Sequence, residues 1–321
     1  MRILGFSRRA LTSCAAVAML AGCDGSQPPI GAPGAVRETP PIGAQVESDG
    51  SWMLAEAKSE SLLYASSDYG VFVYSYPSAH QVGLLNGPSG QGLCSDRDGN
   101  VFVTYLFGRA VYEYAHGDTQ PIQVIYVYDS GGEFNPFSCS VDPTTNTLAV
   151  ASADSNDVFF FKDETGTPTI YRNPYDYGYY DTYDGSGNFF ARGTKNHIAE
   201  LAKGSSTFTN IRLSRPIDDL GGLAWDGRYL STVTEDSTST VFDYRIRVQD
   251  SKAVVVSSRK IINAKQLFQF TIYKHHFISP VWDRIHHTTQ VSFWRYPGFG
   301  KAVDAIEGLS EPVGTAISVL R

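Results

Sequence analysis

The sequence has 321 residues, enough for one large domain or two ordinary ones, and length alone does not choose. With 33 Asp+Glu against 26 Lys+Arg, and only short basic runs such as Arg245-Ile-Arg247, the charge speaks against a nucleic-acid partner.

The chain opens as an export signal. Arg2, Arg8 and Arg9 precede an uncharged, Ala-rich run from Ala10 to Gly22 that is too short to span a bilayer as a mature helix. Leu20-Ala-Gly-Cys23 then matches a bacterial lipobox, so residues 1–22 are expected to be cleaved and Cys23 to carry the lipid. An ordinary signal peptide with an incidental Cys is the competing reading, and the lipobox reading is preferred because Cys23 sits where the apolar run gives way to polar spacer. Ser7-Arg-Arg-Ala-Leu11 fits twin-arginine export or a generic basic leader equally. The expected location is the cell envelope of a bacterium, with the domain in the periplasm or outside the cell. Residues 23–50, rich in Pro and Gly, read as a disordered tether, since they carry too little apolar surface to offset chain entropy.

From residue 51 onward the chain is strand after strand with turn residues between them, and no long window has helical period. One phrase recurs. Asp96-Arg-Asp-Gly-Asn-Val-Phe-Val103 closes an apolar run, turns, and opens the next; it returns at Asp142, at Asp184 and, worn down, at Asp226. Second strands starting at Leu62, Val101, Thr147, Phe189, Tyr229 and Phe277 are spaced by about forty residues, the length of one four-stranded propeller blade. The runs from Leu62 to Leu85 lack an inner strand, and Val313 to Val319 is an inner strand with nothing after it. Together they complete a ring, which predicts an all-β fold: a single six-bladed β-propeller over residues 51–321, of four-stranded antiparallel blades, closed by its two ends.

The Gly-Leu-Cys-Ser-Asp-x-x-Gly-Asn-Val-Phe-Val pattern beginning at Gly92, followed by Val111-Tyr-Glu-Tyr114, resembles the NHL repeat and its relatives in the gluconolactonase and senescence-marker-protein superfamily. The resemblance runs from about Leu62 to the end and is weakest from Gln266 to Ile306. It implies a six-bladed propeller. It also implies, as an alternative function, a lactonase or related hydrolase whose calcium is held by a Glu near the N-terminus and by Asn and Asp side chains in the central channel. This chain lacks the family's early Glu-Gly-Pro element, having Glu56, Glu60 and Ser61 in that region, and Ser279-Pro-Val-Trp282 echoes the residues after that Glu without the acid. No cofactor is therefore expected, calcium entering only under the hydrolase alternative, and the reading favours a binding or scaffold module over an enzyme.

The repeated Asp96, Asp142, Asp184 and Asp226 are expected to cap their own turns. His275-His276 and His286-His287 invite a metal reading, but adjacent strand residues point to opposite faces. The Tyr-rich stretch from Tyr171 to Tyr183 crosses between blades; Tyr179 and Tyr183 are expected to fill a blade interface, leaving Tyr175 and Tyr177 as a stacking platform for a protein, peptide or carbohydrate. Hairpin tips expected on the same face carry Asp68, Tyr69, Arg109, Asp154, Asn156, Lys195 and Asn196. Finally, Cys94 and Cys139 lie two and three residues before their turn Asp, and so point to opposite faces of equivalent strands. They either meet across a blade border as a disulfide or point away from each other; export favours the bridge.

Overall fold

The computed structural model describes residues 50–320 apart from 88, 128–133, 176–178, 193–196, 218–220, 250–251 and 284–287. Six antiparallel sheets stand in a ring as the blades of a β-propeller. Blade 1 is formed by Leu62–Ser67, Gly70–Ser75 and Gln81–Leu85 together with Thr315–Ser318. Blade 2 comprises Gly90–Ser95, Val101–Tyr105, Ala110–Tyr114 and Pro121–Tyr126. Blade 3 comprises Pro136–Val141, Leu148–Ser152, Asp157–Phe161 and Thr169–Arg172. Blade 4 comprises Asp181–Tyr183, Phe189–Arg192, His197–Leu201 and Thr209–Arg212. Blade 5 comprises Leu223–Trp225, Leu230–Glu235, Val241–Gln249 and Lys252–Lys260. Blade 6 comprises Thr271–Tyr273, His276–Asp283, Thr288–Arg295 and Asp304–Glu307.

The ring closes as expected: Thr315–Ser318 pairs antiparallel with blade 1, Leu62 opposite Ser318 and Ala65 opposite Thr315. One strand was not foreseen. Trp52–Met53 adds a fifth, outermost strand to blade 1, Met53 lying opposite Gly83. It covers backbone groups that an edge strand leaves unpaired, and the Met53 side chain folds over Gly83, its sulfur 2.2 Å from where a Cβ on that residue would lie.

Within a blade, burial falls from the second strand outward. Val101–Tyr105 and Leu148–Ser152 are buried at every position, while Thr169–Arg172 is mostly exposed. A second strand has a neighbouring blade on both faces, so it reads as a continuous apolar run rather than an alternating one. Between blades 2 and 3 the core holds Phe102, Val111, Leu148, Val150, Phe159 and Phe161, each large side chain contributing roughly 1.5–3 kcal/mol on burial.

The Cys94–Cys139 disulfide lies in that same core, with Cα atoms 5.7 Å apart. The one-residue offset between the two cysteines does turn them to one shared border.

Inner strands approach closely around the axis. A Cβ at Gly92 would fall 2.4 Å from the Phe137 carbonyl oxygen, and one at Gly314 would fall 2.6 Å from that of Gln91. Across Gly314, the Gln269 side chain imitates a backbone strand: its Oε1 accepts from Leu93 N at 2.8 Å, and its Nε2 donates to Leu93 O at 2.7 Å. Blades 6 and 2 are thereby tied together past blade 1.

Candidate functional site

In an up-and-down blade, the loops between second and third strands and the crossings between blades gather on one face of the ring, and the remaining hairpins on the other. The first face carries those of the singled-out hairpin-tip residues that are described. Tyr69 is 64% exposed and follows Asp68, whose carboxylate accepts from Ser89 and Ser310. Arg109 takes a left-handed turn conformation (φ 49°) at the tip of blade 2. Asp154 accepts from Ser152 and Asn135, and the Asn156 carbonyl accepts from Asn173 N.

Phe107, next to Arg109 on the same tip, is 86% exposed, and Tyr126, which pairs with Ala110 at that end of blade 2, is 56% exposed. Sequence reasoning passed over both. The available signal was an aromatic residue inside the turn Leu106-Phe-Gly-Arg109, where solvated loops seldom carry one.

The proposed tyrosine platform is arranged differently. Tyr175 is half-buried against the apolar core shared by blades 3 and 4. Tyr183 fills that same core, whereas Tyr179 packs against the next one, between blades 4 and 5, in edge contact with Phe137. The two do not share a side because the inner strand begins only at Asp181, and strand alternation does not extend back to Tyr179. Cys23, Tyr177, Lys195, Asn196, His286 and His287 lie outside the described residues. His275 is exposed while the His276 Nδ1 lies 2.6 Å from the Tyr76 hydroxyl, so the pair does diverge.

On the opposite face, the turn caps are as expected. Asp96 Oδ1 accepts from the N–H groups of Asp98 and Asn100, both at 2.8 Å; Asp184 and Asp226 hold their turns in the same way. Asp96 has a second set of neighbours that the sequence did not reveal. Its carboxylate, that of Glu113 and that of Glu164 offer oxygens all within 4.8 Å of one another.

Glu113 comes from the third strand of blade 2, and Glu164 from a short 3-10 turn of blade 3, Lys162–Glu164, where Asp163 and Glu164 both have left-handed φ (49° and 59°). Two such residues without glycine cost on the order of 1 kcal/mol each. Asn100 Nδ2 donates to Asp96 and Glu113, both at 2.9 Å, and Gln123 Nε2 donates to Glu113 at 2.6 Å and to the Glu164 carbonyl at 2.9 Å. These amides hold the carboxylates in place without neutralising them. Burial pushes the Glu164 carboxyl up to about 8, with the charges of Asp96 and Glu113 adding to the shift; burial likewise raises Asp96 and Glu113 above the ordinary carboxylate range.

At the axis, Asp181 is the one carboxylate among the described residues of the six inner strands, and it accepts from Ser138 and Ser140 of blade 3. Burial raises it to about 6. A channel cation of the lactonase kind needs several converging oxygens, and the partners of Asp181 here are hydroxyl donors.

The fold and these two faces define a six-bladed β-propeller. No protein-family model matches the sequence, and no curated protein is detectably similar to it. Solved structures show the fold. A chain of the nidogen/laminin complex superposes with a TM-score of 0.65 at 12% identity, covering 81% of this chain and 98% of that one. The β-propeller domain of Cps50 (Swd1) from Myceliophteria thermophila gives 0.55 at 13% identity, covering 83% of this chain and 89% of that one.

Proposed function

We propose that this chain is an exported, lipid-anchored β-propeller that docks a protein or peptide partner at the bacterial cell envelope. The observation that carries the reading is Phe107, 86% exposed on a hairpin tip, on the same face as Tyr69 and Tyr126. Large aromatics held out on loop tips leave apolar surface in water, and such residues anchor interfaces when a partner covers them. Asp68, Arg109 and Asp154 around them supply the polar rim that recognition surfaces use. A similarly folded chain occurs in the nidogen/laminin complex, so the architecture is compatible with protein binding. Export and anchoring rest on the basic leader and on Leu20-Ala-Gly-Cys23, since two or more acyl chains suffice for stable membrane attachment.

The test is in-cell photo-crosslinking with a photoreactive residue at position 107 or 69, and at Ser206, an exposed position on the opposite face, as control. An adduct of one defined mass is expected from 107 and 69 and none from 206. The Cys23→Ser variant should appear in the soluble fraction without lipid label. Equal adducts from both faces, or none from 107, would overturn the reading.

A further inference from the structure

We propose that Asp96, Glu113 and Glu164 form a binding site for a divalent cation of the calcium class, placed at the border of blades 2 and 3 on the face opposite Phe107. The site is off the central axis and does not depend on the docking reading.

Three observations carry it. First, the donor set is all carboxylate oxygen, with atoms within 4.8 Å of one another, so a single ion at their centre would touch all three after small side-chain rotations. Hard cations of flexible coordination take such ligands, with water completing the shell. Second, Glu164 is only 9% exposed, yet its Oε1 is buried without a hydrogen-bond partner, and the same carboxylate belongs to the cluster. A buried, unpaired carboxylate oxygen is among the costlier features a fold can contain, and an ion in the cluster removes that cost. Third, among the described residues no Lys or Arg pairs with any of the three acids, in contrast to Asp226 with Arg245.

The rival occupant is a proton shared among the carboxylates, and it makes a different prediction. A protonated Glu164 is mimicked by glutamine, so Glu164→Gln would then be harmless and calcium would do nothing.

The experiment is thermal unfolding of the mature protein in EDTA, in millimolar calcium and in millimolar magnesium at equal ionic strength, with calorimetric titration of calcium alone. Calcium at about a hundred times its dissociation constant should raise the wild-type midpoint by about 5 °C, with one ion bound and a smaller response to magnesium. In Glu164→Gln the calcium shift should vanish, while the midpoint in EDTA stays at or above the wild-type value because the amide stays uncharged beside Asp96 and Glu113. Because that variant is expected to fold, the result is readable. Absence of a calcium shift in the wild type, or an undiminished shift in Glu164→Gln, overturns the proposal.

Discussion

At the border of blades 5 and 6, Asp226 meets Arg245 and Tyr296; at the border of blades 2 and 3, Asp96 meets Glu113 and Glu164. These are the same places in the repeat. Arg245 lies opposite Ser231, which lies opposite Ala224, two residues before Asp226; Glu113 lies opposite Phe102, which lies opposite Cys94, two residues before Asp96. Tyr296 and Glu164 each come from just beyond the third strand of the following blade.

One border therefore carries its own cation. The guanidinium sits 2.6 Å from the Asp226 carboxylate and over the rings of Tyr229 and Tyr296. Burial pushes the Asp226 carboxyl up, but the Tyr229 N–H, Arg245 and the Tyr296 hydroxyl outweigh it and hold the group below the ordinary carboxylate value. All three acids at the other border are shifted the opposite way. Blade 4 is intermediate, with Asp184 and Glu200 in the paired positions and Glu200 raised by burial and by Asp184. The comparison shows that the repeat provides a partly buried polar socket in each of these blades. Which residue fills the third-strand position decides whether the chain satisfies it alone.

The 2–3 border also has a covalent tie, and breaking it gives the largest expected effect. The bridge closes a loop with a sequence separation of 45, worth roughly 4 kcal/mol in the chain-entropy description. The double replacement of Cys94 and Cys139 by Ser should lower the denaturant midpoint, with a slope that rises somewhat because the unfolded chain freed of its crosslink exposes more surface. Calcium should then recover a larger share of the remaining stability than in the wild type. A loss under about 1 kcal/mol would mean that the cores and the polar socket hold this border without the bridge.

The 5–6 border should respond to the loss of its guanidinium. Arg245→Met keeps the packing length and strands Asp226, a partly buried case for which about 2 kcal/mol is expected at neutral pH. The sign with pH follows from the depressed Asp226 value. A carboxylate whose folded pKa lies below its unfolded one contributes stability above the unfolded value, near 4, and loses it as pH falls through the folded one. The gap between wild type and variant, followed by urea melts from pH 7 down to pH 3, should therefore close on acidification. A gap independent of pH would assign the effect to lost packing.

The propeller and its closure were legible because a phrase spaced at blade length left one incomplete unit at each end. The disulfide was legible only in part: strand alternation turned the one-residue offset into opposite faces, and the oxidising compartment, not the geometry, favoured the bridge over two thiols pointing apart. The carboxylate cluster was not, since its members come from a turn, a third strand and the next blade, and nothing local joins Asp96 to Glu164. Asp163 and Glu164 also adopt left-handed conformations that a sequence without Gly or Asn does not announce. Tyr175 shows the converse: a stretch rich in tyrosine reads as surface recognition, while part of this residue's surface is taken up by packing against a blade border.

The smallest effect is the most specific. If the two borders differ only in who supplies the cation, then Glu113→Arg should convert the 2–3 border into a copy of the 5–6 border. The new guanidinium would stand beside Asp96 and reach Glu164, replacing three mutually repelling acids by two acids around one fixed cation. It lacks the ring that Tyr229 gives Arg245, because Asn100 occupies that place in blade 2. The gain should therefore be modest, about 1 kcal/mol in EDTA. Calcium should then add nothing, because one of its three carboxylates is gone, a second is paired with the guanidinium, and the guanidinium fills its position. Adding Asn100→Tyr should raise the gain by supplying the stacking surface, at a contact worth on the order of 0.5–1 kcal/mol. A variant stabilised in EDTA yet still shifted by calcium would place the ion elsewhere; one destabilised in EDTA would show that the amides of Asn100 and Gln123 select carboxylates at this border and reject a guanidinium.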